Sequence, residues 1–211
     1  MVWGKSITDK YFMGDEMNKY QIIYADPPWA FGGGIRSSKK IDGKYQRYTP
    51  DTTVGEGRYN TMSDEDIVNL PIKDLADNDC VLFMWFCETK LPLALRVIES
   101  WGFKYVNLAF IWNKKEKSGK DVCYYGGWTM RGSEMVMLGV KGNIHAKIKS
   151  HKVRQKTEAV RDKRFHSRKP QEIKDKIIEL MGDLPRIELF ARQKTEGWDV
   201  WGNEVESDIT L

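Results

Sequence analysis

Apolar and polar positions fall into short blocks along this chain. Tyr20-Gln21-Ile22-Ile23-Tyr24-Ala25 is an apolar run that stops at Asp26-Pro27-Pro28. Two prolines in succession cannot continue a sheet ladder, so the pattern predicts a buried strand that ends in a rigid turn. Runs at 81–86, 103–112, 134–140 and 187–191 read as four further strands. Residues 89–100 have helical spacing, with Leu91, Leu95 and Ile98 on one face. Pro170 opens a second helical pattern carried by Ile173, Ile177, Ile178 and Met181. Ser63 reads as the N-cap of a third helix, with Asp66 at the capping-box position. Strands alternating with helices predict an α/β fold with a mostly parallel sheet covered by helices on both faces. The 211 residues suit one domain.

Two segments have no apolar period and read as long basic loops, at about 31–58 and 145–168. Between Lys147 and Lys169 there are ten Lys or Arg residues against Glu158 and Asp162. The formal net charge of +4 says little by itself, but its concentration in two loops points to a polyanionic partner such as a nucleic acid. Tyr45, Tyr48 and Tyr59, beside basic residues, could stack on bases. Lys152, Arg154 and Lys156 are candidate phosphate contacts, and these loops are expected to clamp the backbone of the substrate.

Other compositional features exclude more than they assign. No apolar run approaches the roughly 18 residues that span a membrane, and Met1–Ser6 lack the apolar core of a signal peptide. Cys80, Cys87 and Cys123 lack metal-ligand spacing, and all three read as core thiols in a reducing cytoplasm. His145, His151 and His166 lack zinc spacing, so no metal is expected. No Gly-x-Gly-x-x-Gly follows a strand, which argues against a nicotinamide or flavin site. Trp85, Trp101 and Trp112 read as core.

The sharpest chemical signal is Asp26-Pro27-Pro28-Trp29 at the carboxyl end of a buried strand, where open α/β sheets bind ligands. An adenine amino group is a poor nucleophile, because its lone pair is delocalised into the ring. A site that methylates it must accept hydrogen bonds from it. Asp26 offers a carboxylate and Pro27 a carbonyl, with Pro28 holding both rigid. Trp29 offers a face on which an extruded base could stack.

From Tyr20 to Glu204 the chain resembles the MT-A70 family of adenine methyltransferases. The resemblance rests on Asp26-Pro27-Pro28-Trp29, Tyr59-Asn60-Thr61-Met62-Ser63, Leu82-Phe83-Met84-Trp85, Leu138–Asn143, Ser167-Arg168-Lys169-Pro170, Ile187–Arg192 and Trp201-Gly202-Asn203-Glu204. It implies a Rossmann-like class I methyltransferase fold in permuted order, the catalytic motif preceding the cofactor-binding strand. It implies S-adenosylmethionine as cofactor, held by Asp26, Lys169, Arg192, Asn203 and Glu204. It also places Lys169 near the incoming base, and Tyr59 falls in a family motif. The eukaryotic enzyme carries Gln where this chain has Glu204. The expected activity is methylation of adenine N6 in nucleic acid, with DNA favoured over RNA, by a homodimer or a pair of methyltransferase-like subunits. The rival expectations are a non-catalytic nucleic-acid-binding subunit, or a methyltransferase of a protein amide or small molecule.

Overall fold

The computed structural model describes residues 19–30, 37–41, 44–48, 61–126, 128–162 and 168–211. The long strands are β1 (Tyr20–Ala25), β4 (Ala76–Phe86), β5 (Lys104–Lys115) and β8 (Ser133–Lys141). Shorter ones are β9 (Lys156–Val160), β10 (Arg186–Leu189) and β11 (Asp199–Trp201). These seven form one sheet in the order β11-β10-β1-β4-β8-β5-β9. Within it β8 alone runs against its neighbours β4 and β5, and the other pairings are parallel. This is the mostly parallel, Rossmann-like methyltransferase sheet that the sequence predicts.

Side-chain alternation along buried strands sorts one apolar run into two cores. Ile23 and Ala25 of β1, with Leu82, Met84 and Phe86 of β4, pack on one face. There they meet helices α1 (Asp64–Val68), α2 (Ile72–Leu75) and α3 (Leu91–Ser100). Ile22 and Tyr24, with Val81, Phe83 and Trp85, point to the other face and meet α4 (Gln171–Met181) through Ile173, Ile177 and Met181.

The α1 start is as expected, with Ser63 Oγ accepting the Asp66 N–H at 3.1 Å. Helix α3 is rotated from its expected face. It buries Ala94, Val97 and Ile98, and leaves Leu91 43% exposed. Trp101 sets this phase: it is fully buried and donates Nε1–H to the Ile67 carbonyl at 2.9 Å. The helix then lies close to β8, where a Cβ on Gly139 would stand 3.3 Å from Ile98 Cγ2 and 3.0 Å from Phe103 Cβ.

Both expected loops contain strands. Within 31–58, β2 (Ser37–Ile41) and β3 (Lys44–Tyr48) pair as an antiparallel hairpin. Within 145–168, β9 extends the sheet edge beside β5, after a 3₁₀ turn at Ile144–Lys147. Its inward Thr157 is buried while Lys156 and Glu158 face solvent, a charged edge that resists pairing with another chain. A further small hairpin joins β6 (Tyr124–Tyr125) to β7 (Met130–Arg131) between β5 and β8.

The expectation for the cysteines holds for one of three. Cys80 is buried, and burial pushes its thiol up to about 12. Cys87 is half-buried and Cys123 is exposed. Among the described residues no helix is long and apolar enough to cross a membrane.

Candidate active site

Register brings the motif residues together. Ala25 stands opposite Leu189 of β10, and Leu189 opposite Trp201 of β11. The residues just beyond these parallel strands therefore share the carboxyl edge of the sheet: Asp26 after β1, Arg192 after β10, Asn203 and Glu204 after β11. Glu134 reaches the same edge from the opposite direction, because β8 is antiparallel and begins there.

The site is a line of alternating charges. Lys169 Nζ lies 2.9 Å from Asp26 Oδ2 and 3.3 Å from Glu134 Oε2. Lys114, near the end of β5, pairs with the other Glu134 oxygen. Lys169 also sits over the Trp85 ring, 5.2 Å from its centroid. The lysine side chain is 15% exposed and Asp26 30%, so the charges are partly withdrawn from water and attract more strongly than on an open surface.

The two carboxyls respond in opposite directions. Burial raises the Asp26 carboxyl above its ordinary value; Lys169 opposes this, and Glu134 adds to the rise. Burial also pushes Glu134 up, but Lys169 and Lys114 together outweigh it and hold that group below the usual carboxylate range. Of the two, Asp26 is the better proton acceptor. Beneath it, Trp85 Nε1–H donates to Tyr24 Oη at 2.6 Å, and buried Lys174 pairs with Glu188. Burial is the main reason that the Tyr24 hydroxyl and the Glu188 carboxyl are both raised.

The Asp-Pro-Pro-Trp turn is locally closed. The Pro27 carbonyl accepts Trp29 N–H at 2.8 Å, and the Pro28 carbonyl accepts Met62 N–H at 3.1 Å. Pro27 keeps its second lone pair for another donor.

Trp29 departs from expectation. It is 4% exposed, packs in the core below α1 and α3, and donates Nε1–H to the Trp85 carbonyl at 3.1 Å. Its ring holds the turn in place and does not present an open stacking face.

At the other end of the edge, Arg192 Nε lies 3.0 Å from Glu204 Oε2, which joins two of the expected cofactor residues. Half-buried Asn203 stands beside them. Ala191 N–H donates to the Trp201 carbonyl at 2.9 Å. The two chains approach so closely that a Cβ on Gly202 would fall 2.0 Å from the Ala191 oxygen.

Lys152 and Arg154 precede β9, and Lys156 opens it. All three are exposed, and Lys156 opposite Ile111 and Val160 opposite Lys115 set the direction of β9. Ile111 stands opposite Met135 and Met135 opposite Phe86, so Lys156 is level with the carboxyl end of β4, three strands across the sheet from it. Lys156 is engaged by Glu158 at 2.6 Å. Among the described residues of this segment that follow β9, Arg161 and Arg168 are basic. Arg161 pairs with Glu116 at 2.6 Å, and Arg168 donates to Gln193 at 3.3 Å.

Tyr59 lies outside the described residues, as do the side chains of Tyr45 and Tyr48. Sequence reasoning missed Glu134 and Lys114. The available signal was a charged residue at each end of an otherwise apolar strand pair. No group of three or more potential metal ligands occurs among the described residues.

Comparison with known proteins agrees with this arrangement. The MT-A70 family model matches residues 20–204. The chain is 33% identical over 200 residues to the type II methyltransferase M.MunI of Mycoplasma sp, covering 93% of this chain and 82% of that protein. It is 27% identical over 194 residues to the human N(6)-adenosine-methyltransferase catalytic subunit METTL3, covering 90% of this chain but 29% of that one. A mouse N(6)-adenine-specific methyltransferase, METTL4, is 28% identical over 203 residues, with 88% and 37% covered. Strand order, the charged cluster at the carboxyl edge and the matched length converge, and the chain belongs to the MT-A70 family.

Proposed function

We propose that this protein transfers a methyl group from S-adenosylmethionine to the N6 amino group of adenine in DNA. The observation that carries this reading is the Asp26–Lys169–Glu134 cluster at the carboxyl edge of β1, in a chain whose relatives are named as adenine methyltransferases.

The residues present suit the cofactor. The Arg192–Glu204 pair and Asn203 offer donors and acceptors of the kind that ribose hydroxyls need, and the close backbone approach at Gly202 leaves room only for a residue without Cβ. Asp26 and Lys169 would hold the methionyl end, with Arg192, Asn203 and Glu204 at the ribose and adenine. The bound cofactor supplies an electrophilic methyl group on a sulfonium.

The chain's own groups handle the amine. Lys169 fixes Asp26 Oδ2, which leaves Oδ1 to accept one amine hydrogen, while the second lone pair of the Pro27 carbonyl accepts the other. Both bonds strengthen as the nitrogen gains positive charge, so they favour the transition state over the ground state. The raised Asp26 carboxyl takes up the proton that the methylated amine sheds. Glu134, itself paired with Lys114, holds Lys169 from the far side, so that it does not drift over the attack path.

DNA is favoured because the chain spans 82% of a type II methyltransferase but only 25–37% of the adenosine and METTL4-type enzymes. An exposed free thiol at Cys123 fits a reducing cytoplasm. The test is mass spectrometry of nucleosides from unmethylated genomic DNA and from RNA, each incubated with protein and S-adenosylmethionine. N6-methyldeoxyadenosine is the expected product. Methylated RNA with unmodified DNA would reverse the choice of substrate, and modification of neither would remove the assignment.

A further inference from the structure

The β6–β7 hairpin carries an exposed aromatic cluster. Trp128 is 98% exposed, Tyr125 78% and Met130 59%. Monomeric domains seldom leave large apolar side chains grouped in water without a use for them. Trp128 stands in the turn closed by Gly126 N–H donating to the Thr129 carbonyl at 3.0 Å. The hairpin is anchored: Arg131 pairs with Glu88, just beyond β4, at 2.8 Å. Its side chain also packs under Gly126, where a Cβ would come 2.3 Å from Arg131 Nε. A held hairpin loses little freedom when its tip inserts into a partner.

Its position relates it to the chemistry. The hairpin leaves β5 after Lys115 and returns to β8 at Ser133, one residue before Glu134. Tyr124 feels the Glu134 charge, which adds to the rise that burial causes in its hydroxyl. The approach to the hairpin suits a phosphate backbone: Lys114, Lys115 and Arg131 are held by Glu134, Asp121 and Glu88, while Lys117 and Lys120 stand exposed between β5 and β6.

An adenine in a duplex cannot reach Asp26 without leaving the stack, and its departure opens a gap between neighbouring base pairs. We propose that Trp128 is the wedge for this step: the β6–β7 hairpin enters a DNA duplex beside the target adenine, and the Trp128 indole occupies the position that the base vacates. This rests on the reading of the site as an adenine methyltransferase. The basic flanks favour a duplex over an apolar protein surface as the occupant of the hairpin.

The test uses a duplex oligonucleotide carrying the sequence that the parent methylates in unmodified genomic DNA, and the same duplex with the target adenine opposite an abasic site, which removes its pairing. Failure of the parent to methylate any adenine would strike the proposed function itself. With an active parent, Trp128→Ala is expected to lower kcat/KM on the paired duplex about 10- to 100-fold, the range that aromatic–base stacking contributes. On the duplex with the abasic site it should stay within about threefold of the parent. Trp128→Phe should recover most of the loss, and 2-aminopurine at the target position should brighten with the parent but not with Trp128→Ala. The melting temperature should be unchanged, since the side chain is in water. An equal loss on both duplexes, or parental activity on the paired one, would overturn the wedge. A change in sedimentation of Trp128→Ala without DNA would overturn it too, by assigning the hairpin to contact between copies of the chain.

Discussion

Lys169 stands between Asp26 and Glu134, 2.9 Å from one carboxylate and 3.3 Å from the other. One cation thus holds an aspartate raised by burial and a glutamate lowered by its two lysines. The proposed chemistry requires the acceptor charge on Asp26, whereas the fold does not.

Asp26→Asn is therefore expected to separate activity from stability. Transfer should fall about 100-fold or more, the scale for one preorganised electrostatic group. The folded chain holds the Asp26 proton more tightly than the unfolded chain does. Its ionisation thus removes stability as pH rises from the ordinary value of 3.8 through the raised one. An asparagine lacks that penalty, and Lys169 keeps Glu134 as its partner. The melting temperature at neutral pH should be equal or higher. Near-parental turnover would remove Asp26 from the reaction.

The pH profile follows from the same group. A protonated Asp26 donates where it must accept, so kcat/KM should fall as pH drops through its raised pKa. Glu134 contributes to that rise. Glu134→Gln should consequently move the acid limb to lower pH. A limb that stays in place, or that moves to higher pH, would show that another group titrates.

Trp29 provides a test of the buried turn. Trp29→Ala should cost about 3–5 kcal/mol, as expected for deleting a large buried aromatic side chain. Trp29→Phe should cost about 1–3 kcal/mol through the unpaired Trp85 carbonyl. Thermal or urea unfolding checks both. Parental stability of both variants with a raised substrate KM would restore the stacking role.

Gly202 tests the cofactor edge. Gly202→Ala forces a Cβ against the Ala191 carbonyl at 2.0 Å and must spread the ends of β10 and β11. Affinity for S-adenosylmethionine should fall about tenfold or more by calorimetry, and Arg192→Ala should weaken it similarly. Parental affinity in both variants would move the cofactor away from this edge.

Much of the frame is determined by sequence alone. Apolar runs placed β1, β4, β8 and β10, because a strand buried on both faces has no polar alternative, and they placed β5 although only its Phe110 and Trp112 are buried. Pro170 and the Ser63 cap fixed helix starts by local chemistry. The order of short motifs marked Asp26, Lys169, Arg192, Asn203 and Glu204. The hairpin β2–β3 had a local signal in Asp42-Gly43, a favoured two-residue turn, between strands too polar to show a period.

What only the tertiary structure decided is which residues meet. Glu134 joins the site because β8 runs antiparallel and begins where β1 ends, a fact of topology invisible in a local window. Trp29 is turned inward, buried in the core with residues of α1 and α3 and donating to the Trp85 carbonyl, contacts that only the tertiary fold brings together. β9 is a strand because β5 offered an open edge, despite a sequence of alternating charges. Pairing with β5 also sets Lys156 on the outer strand of the sheet, level with the carboxyl end of β4 but four strands across from β1. Composition fixes the amount of charge in a segment, and strand order fixes how far across the sheet from β1 that charge stands.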